Sequence, residues 1–363
     1  MYDIAIIGAG INGCSVAYEF SSVGKRVVIF DKDNIASGGS GAAGAFISPK
    51  FSKAGELKEL IHDAFIYSMK FYEKNFSSFL TKAQLIHIAQ DESSSEILKK
   101  YKENTPLTLK KSPFKTDEEN ISLDAGIVDA KKVCQALSKD AKFIKENVDS
   151  LVYDKGNWII NERHIAKKVI LATGAYKSVM KEPYIKLRGI WGHRCDIKTT
   201  TKNEYSLHQF VSISPSNDDI LAIGATHNIH YHPDTSALPY DVQEGRTELL
   251  EKASRTINLE NIEIIKDYTG LRSGSFDYIP MLGRIVLSSE TLSLDERKLK
   301  TKKPNYDEYT YYPNLYMING NGGYGFVLAP YLAKMLSEEI LEDKKISDRL
   351  SPARFFARWA KKR

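Results

Sequence analysis

The sequence predicts an α/β protein in which one discontinuous, nucleotide-type domain is interrupted by a second domain of β-rich, α+β character. Three observations carry the prediction. Apolar strands that break at glycine recur far apart in the chain, at residues 3–8, 169–174 and 315–320. Residues 188–232 alternate apolar and polar positions in short runs, the pattern of half-buried strands. A chain of 363 residues also exceeds what one core usually organises, so two domains are expected.

The first segment, YDIAIIGAGINGCSVAYEFSSVGKRVVIFDKD, reads as strand, glycine turn, helix, strand and acid. Residues 3–7 form the apolar strand, 15–22 have helical composition, and 27–30 form a second buried strand that ends in Asp31. Gly8 permits the tight turn, Gly10 lets a pyrophosphate approach the backbone, and Gly13 lets helix and strand pack closely. Ile11 and Asn12 lie between Gly10 and Gly13 and are expected cofactor contacts, and the first amides and positive dipole end of the helix that follows suit phosphate. Asp31, with Lys32 beside it, lies 18 residues after Gly13, the spacing at which a carboxylate accepts from ribose hydroxyls. The unit is Rossmann-like and predicts a bound dinucleotide.

Two further glycine segments indicate which dinucleotide. SGGSGAAGAF, residues 37–46, is too rich in Gly and Ala for a helix interior and too apolar for a solvent loop. Its Ser37, Gly38, Ser40, Gly41, Ala42, Ala43 and Gly44 suit a backbone laid against a flat ligand. KKVILATGAY predicts a strand over 169–173 that carries Ala172 and Thr173 and breaks at Gly174. NLYMINGNGGYGFVLAPYLAKMLSEEI predicts a strand over 315–318, then Gly320, Gly322, Gly323, Tyr324 and Gly325, then an amphipathic helix. A glycine run opening a helix is again an anion site. Three glycine hinges, all at strand ends, suit a long FAD better than a nicotinamide cofactor.

The rest of the chain has a different texture. LKELIHDAFIYSMKFYEKNF repeats apolar residues at three and four, with Leu57, Leu60, Ile61, Ala64, Phe65 and Tyr72 forming a stripe that packs on a core. Residues 143–174 read as a strand ending at Val148, a hairpin turning at Lys155-Gly156, and a return into the Gly174 strand. The expected division is a FAD-binding domain from 1–84, 129–187 and 268–347, a substrate domain from 85–128 and 188–267, and a basic C-terminal tail at 348–363.

Several features narrow the function class. HNIHYH places His227, His230 and His232 together, but the spacing fits no helical ligand pair and a solvated loop is expected, so no metal is assigned. Cys14, Cys134 and Cys195 are odd in number and scattered, which reads as three small buried hydrophobes. The N-terminus lacks a basic n-region and no run approaches the roughly 18 apolar residues of a membrane helix. A cytoplasmic protein without membrane association is therefore expected. Lys and Arg number 51 against 46 Asp and Glu, and the formal excess of +5 equals the five cations of the closing SPARFFARWAKKR. A charge-balanced body with a basic end suggests an anionic partner.

GAGINGCSVA, FDKD, SGGSGAAGAF, VILATGAY, TGLRSGSFDYIPMLGR and NGNGGYGFVLAP, in this order, resemble the FAD-dependent D-amino acid oxidase and glycine oxidase superfamily over nearly the whole chain. The resemblance implies a fold of the glycine oxidase type with FAD as cofactor. It also implies that Arg272, in the GLR motif, holds the substrate carboxylate over the flavin. A guanidinium fork fixes a carboxylate bidentately and so aims the adjacent C–H. Val148, Arg272 and the glycine-segment residues named above are the expected cofactor contacts. Tyr324, beside the last glycine loop, and Tyr278, just beyond Arg272, are candidates for shaping the substrate pocket; core packing explains either equally well.

Within the superfamily the chain resembles the oxidase domain of the MnmC family, bifunctional enzymes that modify the wobble uridine of certain tRNAs. The long segment 286–313 and the ending LSPARFFARWAKKR carry that closer likeness. It implies oxidation of 5-carboxymethylaminomethyluridine, an N-substituted glycine, to 5-aminomethyluridine and glyoxylate, with dioxygen as final acceptor. Arg354, Arg358, Lys361, Lys362 and Arg363, interleaved with Phe355, Phe356 and Trp359, are expected to contact tRNA; RKLKTKK and the tyrosines at 306, 309, 311 and 312 are a second candidate contact. Anchoring a terminal helix is the other role open to these aromatics. Met1 begins almost at the first strand, so methylation is expected to fall to another polypeptide or to be absent. A small-molecule glycine, sarcosine or D-amino acid oxidase and a non-catalytic flavin-containing RNA-binding protein are the alternatives.

Overall fold

The computed structural model describes residues 1–176, 178–294, 296–301 and 303–363. In chain order the strands are β1 (Tyr2–Ile7), β2 (Val27–Asp31), β3 (Phe46–Ile47), β4 (Leu80–Ile88), β5 (Asn120–Val128), β6 (Lys142–Lys145), β7 (Leu151–Asp154), β8 (Asn157–Ile160), β9 (His164–Leu171), β10 (Leu187–Lys198), β11 (Ser206–His208), β12 (Ser212–Ile213), β13 (Ile220–Gly224), β14 (Glu263–Ser275), β15 (Met281–Val286) and β16 (Tyr311–Asn319). The α-helices are α1 (Ile11–Ser22), α2 (Glu56–Asn75), α3 (Glu92–Asn104), α4 (Ala130–Leu137), α5 (Val242–Ser254), α6 (Ser288–Thr291), α7 (Glu296–Lys300), α8 (Gly325–Glu342) and α9 (Ala353–Ala360).

Two sheets organise these elements. The first runs β15-β16-β9-β1-β2-β6, parallel from β16 to β6 with β15 antiparallel at its edge, and the β7–β8 hairpin joins through β9. Its central strand, YDIAII, is apolar on both faces because both faces are covered. Ile4 and Ile6 enter the core shared with α1, α2, α4 and α8, whereas Ala5 and Ile7 enter the core on the opposite face. The second sheet runs β14-β10-β13-β12-β11-β4-β5-β3, antiparallel except where β11 meets β4. Its longest ladder pairs β10 with β14, from Leu187 opposite Ser275 to Lys198 opposite Glu263.

Helix α2 buries Ile61, Ala64, Phe65 and Tyr72 of its expected stripe and leaves Leu57 and Leu60 half-buried. It is tied to α8 by Tyr72 Oη donating to the Phe326 carbonyl (2.9 Å) and Ser68 Oγ donating to the Val327 carbonyl (2.7 Å). The three cysteines are free and buried.

The structure corrects several expectations. The strand expected to end at Val148 stops at Lys145, and the strand expected over 169–173 starts at His164 and ends at Leu171, so Val148, Ala172 and Thr173 lie in the loops beyond. The boundaries expected after residues 84 and 267 fall inside β4 and β14, which are whole strands of the second sheet. Residues 348–363 are not a tail. Helix α9 buries Ala353, Phe355, Phe356, Ala357 and Ala360 against the first sheet, where Phe356 makes edge contacts with Tyr184 and Tyr309. Burying one such phenylalanine contributes about 2–3 kcal/mol, enough to hold a short helix that would fray alone. Among the described residues no helix is long and apolar enough to cross a membrane.

Candidate active site

A cavity of about 1180 Å³ opens at the carboxyl ends of β1, β2, β9 and β16, and β10 and β14 of the second sheet close its far wall. Open α/β sheets place their ligands in this crevice, where the strand order reverses. The glycines explain why the chain can line it. Gly8 has φ +109°, and a Cβ there would overlap the Ala172 carbonyl. Gly39 approaches the Leu271 carbonyl so closely that a Cβ would stand 2.5 Å from its oxygen. At Gly322 and Gly323 a Cβ would meet nothing within 4 Å, so any side chain there would project into open space at the cavity wall.

One end of the cavity is built from α1 and β2. Ile11 N, at the start of α1, donates to Ser40 Oγ (2.9 Å), which sets the serine-glycine segment across the helix N-terminus. The Asp31 carboxylate is fixed by the amides of Ala9 (2.7 Å) and Asp33 (3.0 Å) and lines the cavity with Lys32. Asn12, Ser37, Gly38, Ala42, Ala43, Gly44, Val148, Ala172, Thr173, Gly174 and Gly325 also line it, as do Gly8, Gly10, Ile11 and Ser40. Gly13, Gly41 and Gly320 do not. A Cβ on Gly13 or Gly41 would overlap the carbonyl of Gly8 or Ala36, and one on Gly320 would press on Ser275, so these three shape the backbone behind the wall.

Arg272 lines the opposite side. Its strand is locked by the β10 ladder, with Ile190 directly opposite. Arg272 Nη1 donates to the Thr226 carbonyl (3.0 Å), and the bare Cα of Gly192 leaves room for the guanidinium. Thr226 is held in turn: its amide donates to the His193 carbonyl (2.9 Å) and its Oγ1 accepts from the His193 amide (3.0 Å). The His193 ring meets Asp267 at 2.9 Å, and Arg246 Nε reaches the same carboxylate at 3.0 Å. Among the described residues no carboxylate pairs with Arg272, and burial lowers its pKa. A half-buried cation that faces a cavity with no acid beside it among the described residues is free to take an anion.

Two further wall residues are shifted away from neutral pH. Burial, then the neighbouring His87, pushes His208 down to about 3. Burial pushes Tyr324 up to about 12, and the Lys50 ammonium lies 5.5 Å from the centre of its ring. Arg194 is occupied by the Ala42 carbonyl (3.1 Å), Asp196 (2.6 Å) and the face of Tyr268.

Other expected site residues lie elsewhere. Tyr278 is 65% exposed at φ +65° and does not line the cavity, because the turn at Asp277 carries it outward. Arg354 is buried, with Nε and Nη2 on Asp277 at 3.0 Å and further bonds to the carbonyls of Leu350, Ser351 and Ile279. It is a structural ion-pair partner and has no surface to offer a polynucleotide. Phe355, Phe356 and Tyr309 are buried too, so none can stack on a base. Arg358, Lys361, Lys362 and Arg363 are exposed, though Arg358 also reaches Asp277 at 2.8 Å. Of RKLKTKK, Lys302 lies outside the described residues. His227 and His230 are exposed, and the described residues contain no metal-holding group of three His, Cys, Asp or Glu.

Sequence reasoning missed Gly39, Gly192, Arg194, Thr226 and His208. Gly39 sits inside the quoted SGGSG run and was open to the same argument as its neighbours. Gly192 and Arg194 lie in a strand read only for its alternation, and their place beside Arg272 and Ala42 comes from the β10–β14 pairing. Nothing local marks Thr226 or His208.

Comparison with known proteins places residues 3–339 in a match to the family described as FAD dependent oxidoreductase, DAO. The "tRNA 5-methylaminomethyl-2-thiouridine biosynthesis bifunctional protein MnmC" of Campylobacter jejuni subsp. doylei is 26% identical over 99% of this chain and 59% of its own length. The protein of the same name from Leptospira interrogans is 25% identical over 99% and 61%. The chain thus spans about three fifths of these relatives. Among solved structures, glycine oxidase from Geobacillus kaustophilus has a TM-score of 0.73 at 18% identity, covering 96% of this chain and 98% of its own. L-proline dehydrogenase from P. horikoshii has 0.74 at 17%, covering 98% and 97%. These two likenesses concern the fold.

Proposed function

The chain belongs to the FAD dependent oxidoreductase family, with FAD as its cofactor, and from that premise we propose that it oxidises the C–N bond of an N-substituted glycine. The proposed substrate is 5-carboxymethylaminomethyl(-2-thio)uridine at the tRNA wobble position, and the products are 5-aminomethyluridine and glyoxylate. The observation that carries this is the Arg272 guanidinium, which faces the cavity with no acid partner among the described residues. A glycine-type carboxylate would supply the missing anion. The names of the relatives support tRNA as its bearer.

The glycine-lined cleft fits FAD: the α1 N-terminus and Ser40 suit the pyrophosphate, Asp31 the ribose, and the open faces of Gly322 and Gly323 a flat ring. When bound, FAD supplies the two-electron acceptor. The protein's part is to bind and aim. Arg272 fixes the carboxylate by a two-point fork, so the adjacent methylene is presented in one orientation. The Thr226 carbonyl restrains that fork. His208 and Tyr324 keep one protonation state across neutral pH, so the amine is oxidised from its neutral form without either acting as base. Water then cleaves the resulting C=N bond, which releases glyoxylate and leaves the aminomethyl group on the uridine.

The test is anaerobic mixing of the yellow protein with tRNA carrying carboxymethylaminomethyluridine, with sarcosine, or with glycine, following flavin absorbance. Bleaching by the tRNA with little effect of the free amines supports the proposal. Rapid bleaching by sarcosine or glycine alone makes the protein a small-amine oxidase. Bleaching by none of them makes it a non-catalytic flavoprotein.

A further inference from the structure

The turn that carries Tyr278 away from the cavity presents a surface that the oxidation chemistry does not use. Phe276 and Tyr278 are 53% and 65% exposed and flank Asp277. The Asp277 carboxylate faces inward, on Arg354 at 3.0 Å and Arg358 at 2.8 Å. With residue 277 pinned, its two neighbours are turned outward. The Arg188 guanidinium lies 4.5 Å from the Tyr278 ring centre and 5.4 Å from that of Phe276, and its Nη2 donates to the Ser275 carbonyl (2.9 Å). Tyr278 is held at φ +65°, a backbone conformation that a non-glycine residue adopts only when its surroundings impose it. The two-arginine clasp on Asp277 holds the turn in that shape.

Charge and position indicate the occupant. Asp277 is outnumbered by Arg188, Arg354 and Arg358, and α9 continues into exposed Lys361, Lys362 and Arg363. The turn follows directly from β14, whose Arg272 and Ser273 line the cavity. At strand rise, Phe276 is about 10 Å from Ser273, one to two nucleotides away. Exposed rings beside cations are the surface on which unpaired bases stack while phosphates are neutralised.

Resting on the substrate reading above, we propose that Phe276, Tyr278 and Arg188 form a stacking platform for unpaired RNA bases next to the modified uridine, with the exposed cations of α9 taking the flanking phosphates. Two variants test it: Phe276→Ala/Tyr278→Asn, asparagine being chosen because it tolerates the left-handed backbone, and Lys361→Ser/Lys362→Ser/Arg363→Ser. Each is titrated with an anticodon stem-loop RNA carrying carboxymethylaminomethyluridine, over a range of salt, and with poly-glutamate as a second polyanion. Each is also mixed anaerobically with the free carboxymethylaminomethyluridine nucleoside.

The ring variant is expected to bind the stem-loop roughly ten- to a hundredfold more weakly with an unchanged salt slope. The cation variant is expected to reduce that slope by about two. Both should be bleached by the nucleoside at the wild-type rate. RNA affinity unchanged in the ring variant overturns the platform and leaves the substrate reading standing. Equal loss of RNA and poly-glutamate binding overturns it in favour of an acidic protein partner. Wild-type protein bleached by neither nucleoside nor stem-loop overturns the substrate reading, and the platform falls with it.

Discussion

Gly192 on β10 presents its bare Cα to the Arg272 guanidinium on β14: a Cβ built there would stand 2.5 Å from Nη2 and 2.7 Å from Cζ. The room in which the guanidinium sits therefore depends on a missing side chain on the neighbouring strand. Gly192→Ala is expected to push the fork off line without disturbing the distant nucleotide end. Misplacing a binding group by about 1 Å costs up to about a hundredfold. The expected result is a KM for the glycine-type substrate raised about ten- to a hundredfold at unchanged flavin content, measured by steady-state oxidation and the ratio of flavin to protein absorbance.

Gly323 tests the cofactor wall separately. It opens onto the cavity, and a Cβ would meet no protein atom within 4 Å, so Gly323→Leu has space to fold but fills space assigned to the ring. The variant should purify with substoichiometric flavin and show weaker FAD binding by fluorescence quenching, at a melting temperature close to that of flavin-free wild type.

Arg354 is expected to matter for stability. Arg354→Ala removes the buried arginine of the clasp, leaves Asp277 with Arg358 alone of the two, and opens a gap under α9. Losing the buried member of such a pair costs about 3 kcal/mol, which for a chain of 363 residues should lower Tm by about 4 °C. Replacing Lys361, Lys362 and Arg363 together should change Tm by less than about 1 °C, as is usual for exposed positions. Thermal melts of both variants separate the clasp from the surface charge.

Glu339 supplies a pH-dependent prediction. Burial pushes its carboxyl up to about 7, against 4.5 ordinarily, and Arg284 offsets only part of this. The folded state thus binds this proton more tightly than the unfolded chain. Its contribution is fully favourable below about 4.5, declines as the pH rises through about 7, and stays unfavourable above. Glu339→Gln should therefore stabilise the protein at pH 8, by about 1 kcal/mol after allowance for partial exposure, and by much less at pH 5. Chemical denaturation at the two pH values measures the difference.

Much of the fold was legible because its signals are local. The strands around Ile6, Ile170 and Met317 are apolar on both faces, and their glycines mark where each chain turns at the cleft. The place of Arg272 at the cleft was legible through the motif it shares with a family. What escaped depends on partners remote in sequence. β14 belongs to the second sheet because β10 pairs with it, and nothing in TGLRSGSF states that. The closing helix was read by its five cations, although Ala353, Phe356, Ala357 and Ala360 already form a helical stripe. That stripe buries the helix and takes Arg354 inside with it. Tyr278 was read by its nearness to Arg272 in sequence, but the clasp on Asp277 turns it to solvent.

The most direct test is the second-order rate of anaerobic flavin bleaching by an N-substituted glycine, compared between wild type and Arg272→Gln at equal flavin content. If the guanidinium grips the substrate carboxylate, the variant should keep its FAD and bleach about a hundredfold or more slowly, since a desolvated charge-assisted fork contributes roughly 3 kcal/mol or more. Equal rates in the two proteins would contradict the assignment.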